Sequence, residues 1–256
     1  SALTAITSTQ ITLDFTDNSD DEDTFRVTAA TFTNANNDAG TIATCNKPGV
    51  GACSGAVNSL TPNTSYYMRI RANEDYGQSY SPFSSEIATF TKAAPPLDQS
   101  TAYSALSSTQ LYVRWGANGN PAGTLYYAER ASDADFTVNW ASSGWVSSTF
   151  TVLGDLSLGT TYYFRVKARN GYLVETATST LHAAQPVATP STATAAAISS
   201  YSVTAAWGKS ANTPDASYYA QRSFFANFSA NNEDSGWLRD LAQREFGGLS
   251  VNTTYY

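Results

Sequence analysis

A short stretch of sequence recurs three times along the chain, and this repetition limits what the chain can fold into. The copies occupy residues 60–73, 156–170 and 249–256. Each begins with leucine and reaches a tyrosine six residues later, at Tyr66, Tyr162 and Tyr255, so that these tyrosines lie 96 and 93 residues apart. A segment of that length can bury a core of its own. The sequence therefore predicts three consecutive domains of one type.

Side-chain polarity alternates along the second copy. Alternation with a period of two is typical of a β-strand that has one face in a core. It predicts one buried and one outward set of side chains, namely Tyr162, Phe164, Val166 and Ala168 inward and Tyr163, Arg165, Lys167 and Arg169 outward. Short strands separated by Gly, Asn, Asp and Pro turns, with no sustained helical period, indicate an all-β sandwich.

These landmarks resemble the fibronectin type III family over essentially the whole chain. The matching features are a strand-B tryptophan, a strand-C aromatic residue and a Leu-x-Pro-x-Thr-x-Tyr turn, found at Trp115 and Trp207, at Tyr126 and Tyr218, and at Leu60, Pro62, Thr64 and Tyr66. The resemblance implies immunoglobulin-like sandwiches in which Tyr66, Tyr162 and Tyr255 bond backbone across the preceding corner. Three positions depart from the pattern: Phe15 replaces the tryptophan, and Leu158 and Val251 replace the turn proline.

Proline and alanine cluster at residues 92–96 and 182–186, where one repeat gives way to the next. The expected domains are therefore 1–94, 95–187 and 188–256. The third contains only part of strand F and no strand G, so we expect either further chain or strands supplied by a neighbouring molecule through β-augmentation. Short proline-bearing joints are semi-stiff and favour alignment of neighbouring domains over free tumbling.

Charge and hydropathy exclude several classes of partner. Fourteen basic residues against twenty-one acidic ones give a net charge of −7, so a basic footprint for nucleic acid is missing. No apolar run approaches the roughly 18 residues that a membrane-spanning helix needs. We expect no cofactor, because no glycine-rich phosphate loop or metalloprotease motif is present.

Two cysteines, Cys45 and Cys53, flank a short segment that contains Pro48 and Gly49. A disulfide across this turn is the preferred interpretation and would place the chain in an oxidising compartment, outside the cell or on its surface. Two free thiols are the alternative. A zinc site is disfavoured, because zinc usually takes four ligands and the only histidine, His182, lies in another repeat.

Catalytic groups are scarce. A Ser-His-Asp arrangement could use only His182, which lies beside a linker, so we expect no enzyme. The acidic run at Asp17, Asp20, Asp21, Glu22 and Asp23 offers carboxylates of the kind that calcium prefers, but the glycine and terminal glutamate of an EF-hand loop are absent. The resemblance supplies the simpler reading that this is the loop between strands B and C, in the style of bacterial members.

Trp140 is a candidate for ligand contact by stacking, because repeat three has Asn232 at the aligned position and a core requirement is not shown. Trp145 and Trp237 recur in a Ser-Gly-Trp motif and are expected to be packing residues. Asn63, Asn227 and Asn252 begin Asn-x-Ser/Thr sequences that can accept glycans. Two of these coincide with the turn before the tyrosine, which explains them without any glycan.

The favoured function is that of a structural or interaction segment in a secreted or surface multi-domain protein, acting as spacer, adhesive stalk or filament unit. Its expected partner is a protein, a surface glycan or another copy of itself. The alternative is a set of carbohydrate-binding or linker modules of a secreted enzyme whose catalytic domain lies elsewhere. A receptor ectodomain is a third hypothesis, which requires a membrane span beyond residue 256.

Overall fold

Every regular element in the described part of the chain is a β-strand, and no helix there is long and apolar enough to cross a membrane. The computed structural model of the protein describes residues 1–18, 21–33, 41–45, 49–74, 79–99, 103–230 and 232–256. The paired strands are antiparallel. The expected all-β class is therefore confirmed.

The described residues of repeat one form eight strands in two sheets. The strands are β1 (Ala2–Ile6), β2 (Ile11–Asp17), β3 (Thr24–Ala30), β4 (Thr41–Cys45), β5 (Gly51–Val57), β6 (Ser65–Glu74), β7 (Ser79–Tyr80) and β8 (Ile87–Phe90). One sheet has the order β1-β2-β5, and the other has the order β4-β3-β6, with β7 and β8 both paired to β6. This is the two-sheet arrangement of an immunoglobulin-like sandwich.

The core of repeat one lies between these sheets. It is formed by inward-facing side chains of β2, β3, β5 and β6 and of the turn before β6, namely Ile11, Leu13, Val27, Ala29, Val57, Leu60, Tyr66, Met68 and Ile70. Most of these residues are spaced by two along their strands, as a pleated sheet with one buried face requires. Removing a buried side chain such as Met68 by substitution with alanine costs about 2–5 kcal/mol in comparable cores.

Repeat two has the same strand order. Its strands are β9 (Tyr103–Ser107), β10 (Gln110–Arg114), β11 (Leu125–Ala131), β12 (Ala141–Val146), β13 (Phe150–Leu153), β14 (Tyr162–Arg169) and β15 (Ser179–Ala184). They form sheets of order β13-β10-β9 and β12-β11-β14-β15. Along β14 the alternation predicted from the sequence is confirmed, because Tyr162, Phe164, Val166 and Ala168 are buried and the residues between them are half-buried.

Repeat three contains β16 (Ser191–Ser199), β17 (Ser202–Gly208), β18 (Ser217–Arg222), β19 (Glu233–Arg239) and β20 (Gln243–Phe246). The first sheet has the order β16-β17-β20, and β18 pairs with β19 alone. The third copy of the recurring stretch therefore forms its turn but contributes no strand, whereas the other two copies continue into β6 and β14.

The contacts divide the chain into two compact units. The first contains Ser1–Ala102, Val113–Thr151 and Tyr163–His182, and the second contains Tyr103–Tyr112, Val152–Tyr162 and Ala183–Tyr256. Repeat two contributes to both units, so this division does not follow the expected boundaries after residues 94 and 187. Those boundaries stay a prediction about the sequence repeats.

An aromatic pair occupies the same place in every repeat. The ring centroids are 5.0 Å apart for Phe15 and Phe25, 5.7 Å for Trp115 and Tyr126, and 6.0 Å for Trp207 and Tyr218. Aromatic pairs in edge-on or tilted arrangements at such distances contribute stability in addition to that gained from burying their apolar surface. Phe15 thus fulfils in repeat one the role that tryptophan has in the other two.

The Ser-Gly-Trp motif forms a β-bulge. Gly144 and Gly236 have φ of 64° and 63°, a left-handed conformation that glycine adopts without strain. The preceding serine hydroxyl accepts a hydrogen bond from the neighbouring strand, from Ala128 N at 3.1 Å in repeat two and from Ala220 N at 2.9 Å in repeat three. The register shifts at both places, which interrupts the regular pairing of the outer strand.

Candidate functional site

Two asparagine side chains bond the backbone at the expected boundaries between repeats, at Ala94 and Ala188. Asn120 Oδ1 accepts from Ala94 N and Asn120 Nδ2 donates to Ala94 O, both at 2.8 Å. Asn212 makes the same pair of bonds to Ala188, at 2.6 and 2.8 Å. Each asparagine lies five residues after the strand-B tryptophan of its repeat. Because a side-chain amide has both a donor and an acceptor, each asparagine bonds both the N–H and the C=O of one alanine and so fixes its backbone.

Asn63 and Asn170 add contacts at the junction of repeats one and two, within the first unit. Asn63 Nδ2 donates to Thr124 Oγ1 and Asn63 Oδ1 accepts from Gly171 N, both at 2.9 Å. In the opposite direction, Asn170 Nδ2 donates to the carbonyl oxygen of Thr91 at 3.2 Å. Both polar atoms of Asn63 are therefore used by the following repeat.

An apolar contact lies beside these hydrogen bonds. The Phe90 and Tyr172 rings are 4.9 Å apart at an edge-on angle of 67°. A Cβ atom added to Gly171 would lie 2.6 Å from the Phe90 ring, so this position needs a residue without a side chain. The loop after β14 therefore approaches strand β8 as closely as its backbone allows.

The recurring tyrosines form the same corner in each repeat. Their hydroxyl oxygens accept from the backbone N–H five residues earlier: Thr61 N to Tyr66 at 2.9 Å, Ser157 N to Tyr162 at 3.0 Å and Ser250 N to Tyr255 at 2.9 Å. The turn places Asn63, Gly159 and Asn252 at φ of 43°, 72° and 54°. Glycine and asparagine are the residues that tolerate this left-handed conformation best, which explains two of the three possible glycosylation sequences.

The possible glycosylation asparagines differ in access. Asn227 and Asn252 are exposed. Asn63 is not free for modification in this structure, because its Nδ2, the atom to which a glycan would be attached, donates to Thr124. Glycosylation at Asn227 and Asn252 stays a prediction, and attachment at Asn63 would require the junction contact to be given up.

Cys45 and Cys53 are bonded to one another, with their Cα atoms 6.3 Å apart. Cys45 is the last residue of β4 and Cys53 lies in β5, so the bond joins the two sheets of repeat one. In the strand register Cys45 lies opposite Phe25 and Cys53 opposite Phe15. The disulfide therefore lies beside the aromatic pair of the one repeat that has no strand-B tryptophan.

The acidic loop lies at one end of repeat one. Asp17 and Glu22 are buried, whereas Asp21 and Asp23 are exposed. Asp17, Asp21 and Glu22 line a cavity together with Asn73 and Tyr80. Asp20 lies outside the described residues. Among the residues that the structure does describe, no three His, Cys, Asp or Glu side chains are grouped so that they could hold a metal ion. Calcium binding here stays a sequence hypothesis.

Trp140 lies at the surface of repeat two, immediately before β12, and is 50 % exposed. Its Nε1–H donates to Glu129 Oε1 at 2.9 Å. The other oxygen of Glu129 accepts from Arg165 Nε at 2.7 Å, and the Arg165 guanidinium lies 4.0 Å from the centre of the Phe136 ring. A connected array of four side chains therefore holds the indole in place.

Glu129 is the charged centre of this array and is only 7 % exposed. Burial is the largest single influence on its pKa and acts to raise it. The hydrogen bonds from Arg165 and Trp140, with the positive charges of Arg165 and Lys167, outweigh burial and lower the pKa below its ordinary value of 4.5. Glu129 is therefore ionised at neutral pH.

The remaining candidates lie apart from this array. Trp145 packs against Tyr127 at 5.2 Å and Arg169 at 4.1 Å, as expected of a packing residue. Trp237 contacts Tyr219 at 5.3 Å but is 74 % exposed, so packing covers little of it. His182 is exposed within β15, where its Nδ1 pairs with the Asp98 carboxylate.

Sequence reasoning did not identify the linker asparagines. A signal was present, since an asparagine follows each strand-B tryptophan by five residues. The signal is weak, because asparagine is common in loops, where it bonds its own backbone. The structure shows instead that these two bond a residue more than twenty positions earlier.

Comparison with known proteins yields structural neighbours only. No protein-family profile matches the chain, and no curated protein matches it. Among solved structures, the FN1–FN3 domains of chicken CNTN1 share 18 % identity at a TM-score of 0.43, covering 99 % of this chain and 89 % of that one. A two-domain fibronectin type III segment of chicken tenascin shares 18 % identity at a TM-score of 0.47, covering 72 % and 96 %.

Proposed function

We propose that the chain is a non-catalytic structural segment of an extracellular or cell-surface protein, whose role is to hold successive β-sandwich domains at fixed junctions. The observation that carries this proposal is the pair of hydrogen bonds from Asn120 to Ala94, repeated by Asn212 and Ala188. Because the same pair of hydrogen bonds recurs at both junctions, we assign it a role that both junctions share, which is to connect one domain to the next.

Burial of the linker supports this role. Ala93 and Ala94 are buried, and the flanking backbone is hydrogen-bonded through Lys92 N to Thr7 O at 2.9 Å and Leu97 N to Gly116 O at 3.0 Å. Domains joined by exposed, unbonded linkers move relative to one another by default. A linker whose polar groups are already bonded must break those bonds before it can bend.

The disulfide supports the location. Disulfides persist in secreted and surface proteins and are rare in the reducing cytosol. Within this location we propose that the segment acts as a spacer, an adhesive stalk or a filament unit. Its partner would be a protein, a surface glycan or another copy of the chain. The acidic loop after β2, which resembles that of bacterial fibronectin type III domains, is the support for a bacterial source.

Limited proteolysis tests the fixed junction. Trypsin cleaves after Lys92, which is exposed and begins the first linker. We expect this bond to resist trypsin in the unaltered chain and to be cut much faster in Asn120→Ala, because that variant frees both polar groups of Ala94. The measurement is the rate at which the fragment 1–92 appears, followed by mass spectrometry.

Asn212→Ala is the matched control, because it disturbs only the second junction and should leave cleavage after Lys92 unchanged. Thermal unfolding midpoints of both variants separate local loosening from general destabilisation. If the unaltered chain is cut after Lys92 as fast as Asn120→Ala, the junction is not held and the proposal is wrong.

A further inference from the structure

We propose that Trp140 is a saccharide-binding platform, on which a pyranose ring stacks against the exposed indole. Half of the Trp140 surface is exposed, although tryptophan is among the side chains that gain most from burial. Repeat three has Asn232 at the aligned position. The indole is thus held at the surface of repeat two, and the fold does not require it, since the equivalent position of repeat three has no tryptophan. It is therefore available to contact a ligand.

The ring is fixed before any ligand arrives. Its only polar atom is already bonded, Nε1–H to Glu129 Oε1 at 2.9 Å, and Glu129 is in turn held by Arg165 at 2.7 Å. A ligand therefore has only the apolar part of the ring to contact. Because the ring does not need to be ordered on binding, less of the interaction free energy is lost to conformational entropy.

The segment before Trp140 is ordered in the same way. Asp133 accepts from Thr137 N and Val138 N, at 3.0 and 2.7 Å, and Asn139 Nδ2 donates to Ser132 Oγ at 3.2 Å. This bonding presents Val138, which is 51 % exposed, two residues before the indole. The platform is therefore a rigid surface feature.

The chemistry around the ring favours a sugar over a protein. A stable protein interface buries about 800 Å² on each partner around an apolar centre. Along the exposed segment 137–140 the apolar side chains are one indole and one valine, which alternate with the polar Thr137 and Asn139. A pyranose offers a small apolar C–H face edged by hydroxyl groups, which matches one aromatic ring flanked by amide and guanidinium donors. The partly exposed Arg165 guanidinium supplies such donors.

Affinity electrophoresis of the whole chain tests the proposal, using native gels that contain soluble β-glucan, xylan, mannan or glycol chitin. We expect at least one polysaccharide to retard the unaltered chain. Trp140→Ala should weaken that retardation at least about tenfold, while Trp140→Phe, which keeps a smaller ring, should bind with intermediate affinity.

Trp237→Ala is the matched control, because it removes a still more exposed indole, which lies against the Tyr219 ring at 5.3 Å, and it should bind as the unaltered chain does. Circular dichroism verifies that each variant is folded. The proposal is overturned if no polysaccharide in the panel retards the chain, or if Trp140→Ala and the unaltered chain bind alike. It stands apart from the junction role, since cleavage after Lys92 reports on that role alone.

Discussion

Asn63 of repeat one and Asn170 of repeat two each form a hydrogen bond with the backbone of the other repeat. Asn63 Oδ1 accepts from the backbone N–H of Gly171, the residue after Asn170. Asn170 Nδ2 donates to the carbonyl oxygen of Thr91. Thr91 is held beside Asn63, because its N–H donates to the carbonyl oxygen of Thr64, the residue after Asn63. Each repeat thus satisfies backbone groups of the other. Moving one repeat away from the other would replace these hydrogen bonds by bonds to water, at a net cost of about 1 kcal/mol for each bond.

The first prediction concerns Asn63. Asn63→Gly keeps the left-handed turn but removes both junction bonds, and should lower the free energy of unfolding by about 1–3 kcal/mol, at roughly 1 kcal/mol for each bond. Urea unfolding measures the loss. Asn252→Gly is the matched control, since Asn252 has a similar φ in an exposed turn, and should change stability by a few tenths of a kcal/mol. Equal losses in both variants would mean that turn conformation, and not the junction, accounts for the effect.

Much of the fold could be predicted because it depends on periodic patterns. The alternation in β14 and the spacing of Tyr66, Tyr162 and Tyr255 identify strands and repeats before any coordinates are known. The aromatic pairs could also be located, since Phe15 and Phe25 align with the pairs that begin at Trp115 and Trp207. Burial of one face of a strand leaves a signal at every second residue, so these inferences rest on many positions at once.

The junction could not be predicted in the same way. Asn120 forms two hydrogen bonds with Ala94, and such single contacts produce no periodic pattern in the sequence. Asparagine in a loop usually bonds nearby backbone instead. The array around Trp140 was anticipated only in part. The asparagine at the aligned position of repeat three makes Trp140 a candidate for ligand contact, but its support by Glu129 and Arg165 depends on which side chains meet across β11 and β14.

The second prediction concerns the disulfide. Cys45 and Cys53 are 8 positions apart in the sequence, and for a loop of that length the loss of chain entropy in the unfolded state corresponds to about 2.5 kcal/mol. Reduction should therefore destabilise repeat one, with faster hydrogen exchange in β2 and β6 and little change in β14. Thiol titration of the denatured chain should find no free thiol before reduction and two afterwards. Two free thiols before reduction would rule out the bond.

The third prediction ranks the tyrosine corners. Tyr162→Phe keeps the buried ring but leaves Ser157 N without its partner, and should lower the free energy of unfolding by about 1–2 kcal/mol. Tyr66→Phe should do the same at Thr61. Tyr255 is less buried than either, so water can replace its hydroxyl and Tyr255→Phe should have the smallest effect. Urea unfolding of the three variants gives the ranking, and a largest loss at Tyr255 would contradict it.

The last prediction concerns pH and Glu129. Its folded pKa lies below the ordinary value of 4.5, so its stabilising contribution is complete above that value and is lost as the pH falls through the folded pKa. Glu129→Gln should be less stable than the unaltered chain near neutral pH, and the difference should shrink as the pH falls below 4.5. Urea unfolding at a series of pH values measures this. Glu175→Gln is the control, because the Glu175–Lys167 pair at the surface should contribute less than about 1 kcal/mol. A difference between Glu129→Gln and the unaltered chain that stays constant with pH would show that Glu129 acts by packing and not by its charge.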